Sequence, residues 1–231
     1  MIYKKDKAII VFSRLPVEGE VKTRLSKEIG NRYATEFYRI CAEHLFTEVS
    51  KLKKDDIDLF LFYSDVNKTD NVKKWVGNEF YFCSQISGNL GKKMQHAFRY
   101  VFDKDYSKVI IVGTDIPDIN SGLLINAFNN LDKYDFVIGP SDDGGFYLLG
   151  TKSLQGDLFI ETEWGSETVF SDTLKSLKSK NASFKTLRKM IDVDTKKDLM
   201  RWYRDTKNDS NHPVKVFVES RREFYSLIKG E

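Results

Sequence analysis

Three short apolar runs, Ala8 to Phe12, Ile57 to Tyr63 and Lys108 to Val112, do most to restrict what this chain can fold into. Runs this short, rich in β-branched residues and bounded by polar ones, have the pattern of parallel strands buried on both faces. Between them apolar residues recur at helical spacing: Ala34, Phe37, Cys41 and Leu45 in one stretch, Leu90, Met94, Ala97, Phe98 and Val101 in another. Strand and helix alternating in this way imply right-handed βαβ crossovers and a doubly wound α/β sheet. Ligands of such sheets lie beyond the carboxyl ends of the strands.

The second half is more mixed. A helix is expected from near Ser121, then a strand over Asp135 to Ile138 that Gly139-Pro140 stops, then the apolar run Phe146 to Leu149. Glu167 to Leu177 and Lys196 to Tyr203 read as helices, Phe184 to Leu187 and Met190 to Val193 as extended segments. This mixture predicts an antiparallel element. The polar, turn-rich stretch Asp205 to Pro213 separates a small final unit, Val214 to Gly230, from the main body. The expected organisation is one α/β domain over residues 1–205 with a C-terminal extension over 206–231, packed on or beside it. The extension could cover an edge strand or form a subunit contact in a homodimer.

Composition narrows the function classes. With 41% hydrophobic and 31% charged residues and only 4 prolines, the chain is ordinary globular protein. A net charge of +3, from 37 basic and 34 acidic residues, is too small to imply a broad nucleic-acid-binding surface. The run Ala8 to Phe12 is too brief for a signal sequence, and no stretch has membrane-spanning length, so a cytoplasmic location is expected. Cys41 and Cys83 lack metal-ligand spacing and are expected core residues of a protein in a reducing compartment.

Four segments could carry chemistry. The loop after the first strand offers Ser13, Arg14, Lys22 and Arg24 at a strand's carboxyl end, where fixed positive charge would meet phosphate; a solvated basic loop is the alternative. The strand ending at Gly113 presents Asp115, a hard oxygen ligand for a divalent cation, whereas Asp118 reads as a cap or turn residue. Asp142 and Asp143 adjoin Gly144-Gly145 at a strand junction, which is either a ligand-facing loop or a tight acidic turn. Asp192 and Asp194 fall on one side of an extended segment and could complete a metal site with Asp115, although Asp194 or Thr195 could equally cap the next helix. Trp164 could shape an acceptor pocket or merely pack. His44, His96 and His212 lack convergent partners and read as structural or exposed.

Taken together, Gly19 to Leu25, Gly88 to Gly91, Gly113 to Asp118, Asp143 to Tyr147 and Asp192 to Thr195 resemble the GT-A glycosyltransferase-like family of nucleotide-diphospho-sugar transferases, some associated with arsenosugar biosynthesis. The motifs stand in the family's order, and the resemblance covers Ala8 to Trp202. It implies a three-layer, Rossmann-like GT-A fold with a mixed, mainly parallel sheet flanked by helices. It also implies that Ser13, Arg14, Lys22, Arg24, Gly88 and Gly91 bind nucleotide and phosphates. Asp115 would bind Mg²⁺ or Mn²⁺ with Asp192 and Asp194. Asp142 and Asp143 would be catalytic, with Gly144, Gly145 and Trp164 facing the sugar or acceptor. The implied partners are a nucleoside-diphosphate sugar and a small-molecule acceptor, with an acid of the 142–143 turn taking the acceptor's proton.

The chain departs from the family at Asp142, where Glu is common, and at Lys196-Lys197, where Pro-Glu is common. The Lys22 to Leu25 loop and Asp192 to Thr195 also look like 2-phospholactate guanylyltransferases and molybdenum-cofactor nucleotidyltransferases, which attack an α-phosphate and release pyrophosphate. Against that alternative, the first loop lacks the dense glycines that cradle a triphosphate. A non-catalytic nucleotide-binding protein on the same fold is the third reading.

Overall fold

The first two apolar runs become neighbouring parallel strands, and the third joins them on the other side. In a computed structural model describing residues 6–154, 159, 164–206 and 209–229, β1 (Lys7–Ser13) lies between β2 (Ile57–Tyr63) and β4 (Lys108–Gly113). Residues 1–5, 155–158, 160–163, 207–208 and 230–231 lie outside the described residues, among them parts of the expected C-terminal extension. Beyond β2, β3 (Tyr81–Ser84) adds a further parallel strand. The crossovers contain α1 (Thr23–Ile29) and α2 (Asn31–Ser50), then α3 (Thr69–Val76), then α4 (Leu90–Phe102).

Alternation along the central strands divides the core in two. Ile9, Val11, Leu59, Leu61, Ile110 and Val112 pack with Leu45 and Val49 of α2 and with Leu124 and Phe128 of α5 (Ser121–Leu131). Ala8, Ile10, Phe60, Phe62, Val109 and Ile111 pack with Phe98 of α4 and Leu177 of α6 (Val169–Ser179). Both faces are thus covered, which explains why the strands read as continuous apolar runs. Each fully buried aliphatic side chain here contributes about 1.5–3 kcal/mol relative to exposure.

The expected antiparallel element is β6 (Phe146–Thr151), which pairs antiparallel with both β4 and β5 (Phe136–Pro140). With β7 (Phe184–Thr186) parallel to β5, the sheet order is β3-β2-β1-β4-β6-β5-β7, a mixed and mainly parallel α/β sheet. One sequence expectation is refined and one corrected. β5 ends at Gly139-Pro140 as expected but takes in both residues, with a register shift between them, and a Cβ on Gly139 would come within 2.3 Å of the Tyr147 ring. That glycine serves close packing. Met190 to Val193 forms no strand; Met190 makes one isolated bridge, to Ser141, and the chain then leaves the sheet.

The final helices α7 (Lys196–Asp205), α8 (Pro213–Ser220) and α9 (Arg222–Lys229) follow. Val214, Val218 and Phe224 are buried in one cluster with Phe37 of α2 and Trp202 of α7. The N-terminus of α7 is closed by a capping box between Thr195 and Asp198, so Thr195, and not Asp194, is its cap. Cys41 is buried and Cys83 partly so, both as free thiols. Among the described residues no helix is long and apolar enough to cross a membrane.

Candidate active site

Chain direction sets where the site lies. From β1 the chain builds outward through β2 and β3, then returns to β4 on the opposite side of β1. A crevice opens at such a switch point because the loops after the two strands part in opposite directions. A cleft of about 860 Å³ occupies this place, lined by Phe12 and Ser13 after β1 and by Gly113, Thr114 and Asp115 after β4. Its volume lies within the usual range for small-ligand sites.

Lys22 is at its floor. The loop predicted between β1 and β2 contains helix α1, and Lys22 is the N-cap of that helix in a left-handed conformation, φ 46° and ψ 46°. Its side chain is only 3% exposed, with Nζ 2.7 Å from Asp115 Oδ1, 3.3 Å from Asp192 Oδ1 and 2.9 Å from Asp194 Oδ1. Burial works against the ammonium charge, but the three carboxylates outweigh it and hold the Lys22 pKa well above the ordinary lysine value. Burial also dominates at Asp192: aided by Asp115, Asp194 and Asp143 and opposed by Lys22, it pushes this carboxyl up to about 7. Arg24 lies outside the quartet, 77% exposed, with Nη1 3.9 Å from Asp194.

A tyrosine that sequence reading missed ties the two strand ends together. Tyr38 Oη on α2 accepts from Arg14 N–H at 3.1 Å and donates to Arg14 C=O at 3.0 Å. Ser13 Oγ lies 3.4 Å from the same hydroxyl, and Thr114 Oγ1 donates to it at 3.2 Å. Tyr38 is almost fully buried, so its phenol pKa is raised, chiefly by desolvation. Arg14 is therefore held by its backbone and Ser13 by its hydroxyl, which leaves the Arg14 guanidinium exposed, with one bond of 3.3 Å to Glu20 C=O. Tyr38 shares the helical apolar stripe of α2, and its sequence signal is indistinguishable from packing.

The acidic turn separates its two carboxylates. Asp143 lines the cleft, and its Oδ1 accepts from Ser141 Oγ and, at 3.0 Å, from Gly145 N–H. Asp142 and Gly144 do not line it. The Asp142 carboxylate lies behind the cleft, accepting from Asp192 N–H at 3.1 Å and pairing with Arg201 of α7, a partner that sequence reading also missed. Asp142 thus positions Asp192, and its carboxylate does not line the cleft that it was expected to face. Gly144 has φ 91°, and a Cβ there would stand 2.0 Å from Glu167 C=O; the backbone crossing itself requires a glycine.

Gly145 and Trp164 do line the cleft. Gly91 does not: a Cβ on it would lie 2.0 Å from Trp164 Nε1, so this glycine receives the indole edge, which donates to Phe159 C=O at 3.0 Å. Gly88, with φ 128°, also stands outside the lining, while Lys93 in the next turn of α4 lines it and had not been foreseen. Asp118 accepts from Trp202 Nε1 at 2.8 Å and lies 3.4 Å from the buried His212, in keeping with a structural role.

The chemistry of the trio Asp115, Asp192 and Asp194 suits a hard cation, being all carboxylate oxygen. In this conformation its centre holds Lys22, and among the described residues no group of three or more His, Cys, Asp or Glu is arranged to hold a metal ion. The trio as it stands therefore fits an ammonium and not a metal ion.

Comparison with known proteins agrees with this architecture. Residues 48–166 match the family described as "Uncharacterized protein conserved in bacteria (DUF2064)". Among curated proteins no sequence matches the chain. A solved structure from Desulfovibrio desulfuricans G20, described as a "putative nucleotide-diphospho-sugar transferase", is 33% identical over 97% of each chain with a TM-score of 0.90. The 4-diphosphocytidyl-2C-methyl-D-erythritol synthase of Anaerococcus prevotii shares the fold at 12% identity and TM-score 0.58, over 93% of this chain and 99% of that one. A cytidylyltransferase of Leptospira borgpetersenii shares it at 14% identity and TM-score 0.55, over 99% and 98%. The chain thus belongs to the DUF2064 family and, through its 33% identity to the Desulfovibrio protein over 97% of each chain, to the family described as nucleotide-diphospho-sugar transferases, whose members and fold neighbours are transferases.

Proposed function

We propose that the cleft binds a nucleoside-diphosphate sugar and passes the sugar to a hydroxyl of a small-molecule acceptor. The observation that carries this reading is the meeting of Lys22, Asp115, Asp192 and Asp194, from three separated segments, at the topological switch point. Arg14, Arg24 and Lys93 stand around the same opening and offer cationic partners for a diphosphate.

In the reaction the bond from the anomeric carbon to the diphosphate oxygen breaks and a bond to the acceptor oxygen forms. Negative charge grows on the leaving diphosphate, so cations fixed around it stabilise the transition state more than the bound substrate. Asp143, the acid of the 142–143 turn that lines the cleft, takes the acceptor's proton. The Mg²⁺ or Mn²⁺ that the resemblance implies does not fit the trio while Lys22 fills it.

Thermal unfolding with Mn²⁺ and a panel of nucleotide sugars tests the reading. A nucleotide present at 100 times its Kd should stabilise the protein by about 2.7 kcal/mol, and Asp115→Asn should reduce that shift. No shift with any nucleotide sugar would overturn it. The fold shared with two cytidylyltransferase-type enzymes favours nucleotidyl transfer as a second reading, although fold alone does not decide chemistry. Release of pyrophosphate from a nucleoside triphosphate would select that reading, release of a nucleoside diphosphate from a sugar nucleotide the first. Binding without turnover of any donor would leave a nucleotide-binding protein.

A further inference from the structure

The cleft has two kinds of wall. One holds the charged quartet around Lys22; the other is lined by Leu90 and Met94, one turn apart on α4, with Phe146 at the start of β6 and Trp164. Leu90 is 48% exposed. A lone exposed leucine is ordinary, but this one shares a single opening with three further apolar side chains, and a contiguous apolar patch inside a cleft marks a place where something binds.

The wall is rigid and has little left to offer a polar ligand. The Trp164 indole N–H is already donated to Phe159 C=O at 3.0 Å. Gly91 receives the ring so closely that a Cβ there would lie 2.0 Å from Nε1, and the Phe146 ring meets it edge-on, with centroids 6.0 Å apart and planes at 83°. The indole is therefore fixed before any ligand arrives, and it presents carbon to the cleft.

We propose that this wall is the acceptor's subsite, and that the acceptor is an alcohol borne on an apolar alkyl or aryl body rather than a polyol. The proposal rests on the transferase reading, in which Asp143 receives the acceptor's proton. Asp143 precedes Phe146 by three residues, no more than about 11 Å of chain, so a hydroxyl held at Asp143 has its remaining body beside the wall. Further hydroxyls turned toward these four side chains would give up water and gain no partner in exchange. An alkyl or aryl group in the same place sheds water from its own surface and from the wall.

The test uses neither nucleotide nor metal, so its failure is separate from failure to bind a nucleotide sugar, which would sink the transferase reading instead. Binding of the n-alkanols from butanol to heptanol is measured by titration calorimetry on the wild type and on Leu90→Asn. Each added methylene should tighten binding to the wild type about three- to fourfold until the wall is covered, and roughly twofold or less in the variant. Glycerol and glucose should bind more weakly than heptanol by roughly tenfold or more. In parallel, an alkyl diazirine with a terminal hydroxyl is photolysed with the wild type and its attachment mapped by mass spectrometry. Label should fall on Leu90, Met94, Phe146 or Trp164 and be displaced by heptanol but not by glycerol; this arm decides the matter if Leu90→Asn does not fold. The proposal is overturned by absence of alkanol binding, by a chain-length dependence that is flat or the same in both proteins, by glycerol or glucose binding as tightly as heptanol, or by label that falls only outside the cleft.

Discussion

Replacing Lys22 by methionine should destabilise the protein in a way that depends on pH. Methionine retains much of the side-chain volume but removes the charge, leaving Asp115, Asp192 and Asp194 facing one another. Removing one partner of a buried ionic group typically costs about 3–5 kcal/mol. Here Asp115 and Asp194 are each 45% exposed and water takes over part of the lost interaction, which brings the expected loss to roughly 2–3 kcal/mol. At about 2–4 °C per kcal/mol for a chain of this size, Tm should fall by roughly 4–12 °C.

The sign of the pH dependence follows from linkage. Lys22 has a raised pKa, so its stabilising contribution is complete below the ordinary lysine value of 10.5 and is lost only as pH rises through the higher folded value. Asp192, raised from 3.8 to about 7, costs stability as pH rises between those values. Without the ammonium, which opposes the rise at Asp192, that carboxyl gains more from protonation. The stability gap between wild type and variant should therefore be widest near pH 8 and narrow toward pH 4. Urea unfolding across that range measures it. A gap that is absent at pH 8, or that widens in acid, would refute the account of Lys22 as the counter-charge of the trio.

The other predictions concern the surroundings of the cleft. Gly91→Ala should drive Trp164 off α4, lowering stability by about 1–3 kcal/mol and shifting tryptophan fluorescence to the red; an unchanged spectrum would contradict the close approach of 2.0 Å. Asp143→Asn should lower kcat by roughly a hundredfold or more while leaving nucleotide-induced stabilisation intact, whereas Asp142→Asn should mainly lower the urea midpoint by breaking the Arg201 pair. The reverse order of kcat losses would return the base to Asp142. Trp202→Phe removes the donor to Asp118 and should cost about 1–3 kcal/mol by thermal unfolding, with no change in Mn²⁺ binding.

Much of the fold was legible because the patterns that announce it are local. The runs that became β1, β2 and β4 are mostly apolar because helices cover both faces of the sheet, and the stripes in α2 and α4 have helical spacing because one side of each meets that sheet. Reading failed where a residue's local meaning differs from its packing. Gly139-Pro140 ends β5 as its composition announces, yet the glycine lies inside the strand, where a tyrosine ring crosses it. Gly91 and Gly144, which resemble ligand-approach glycines, make room for Trp164 and for the backbone at Glu167. Tyr38, Lys93 and Arg201 gave no separate signal, since aromatic and basic residues on helices are ordinarily packing and solvated surface.

The amino-acid sequence alone determined which segments are strands and helices, the doubly wound class and the small set of acids and bases from which any site would be drawn. It did so because periodicity and turn chemistry act over a few residues. Only the tertiary structure decided what those acids and bases do. Lys22 meets Asp192 and Asp194 across 170 and 172 positions of chain, an approach that depends on sheet order and not on any neighbouring residue. Asp142 and Asp143 are adjacent and chemically identical, yet one turn directs the first carboxylate to Arg201 behind the cleft and the second into the cleft itself. Side-chain direction across such a turn is set by what packs on either side, and that is a property of the whole fold.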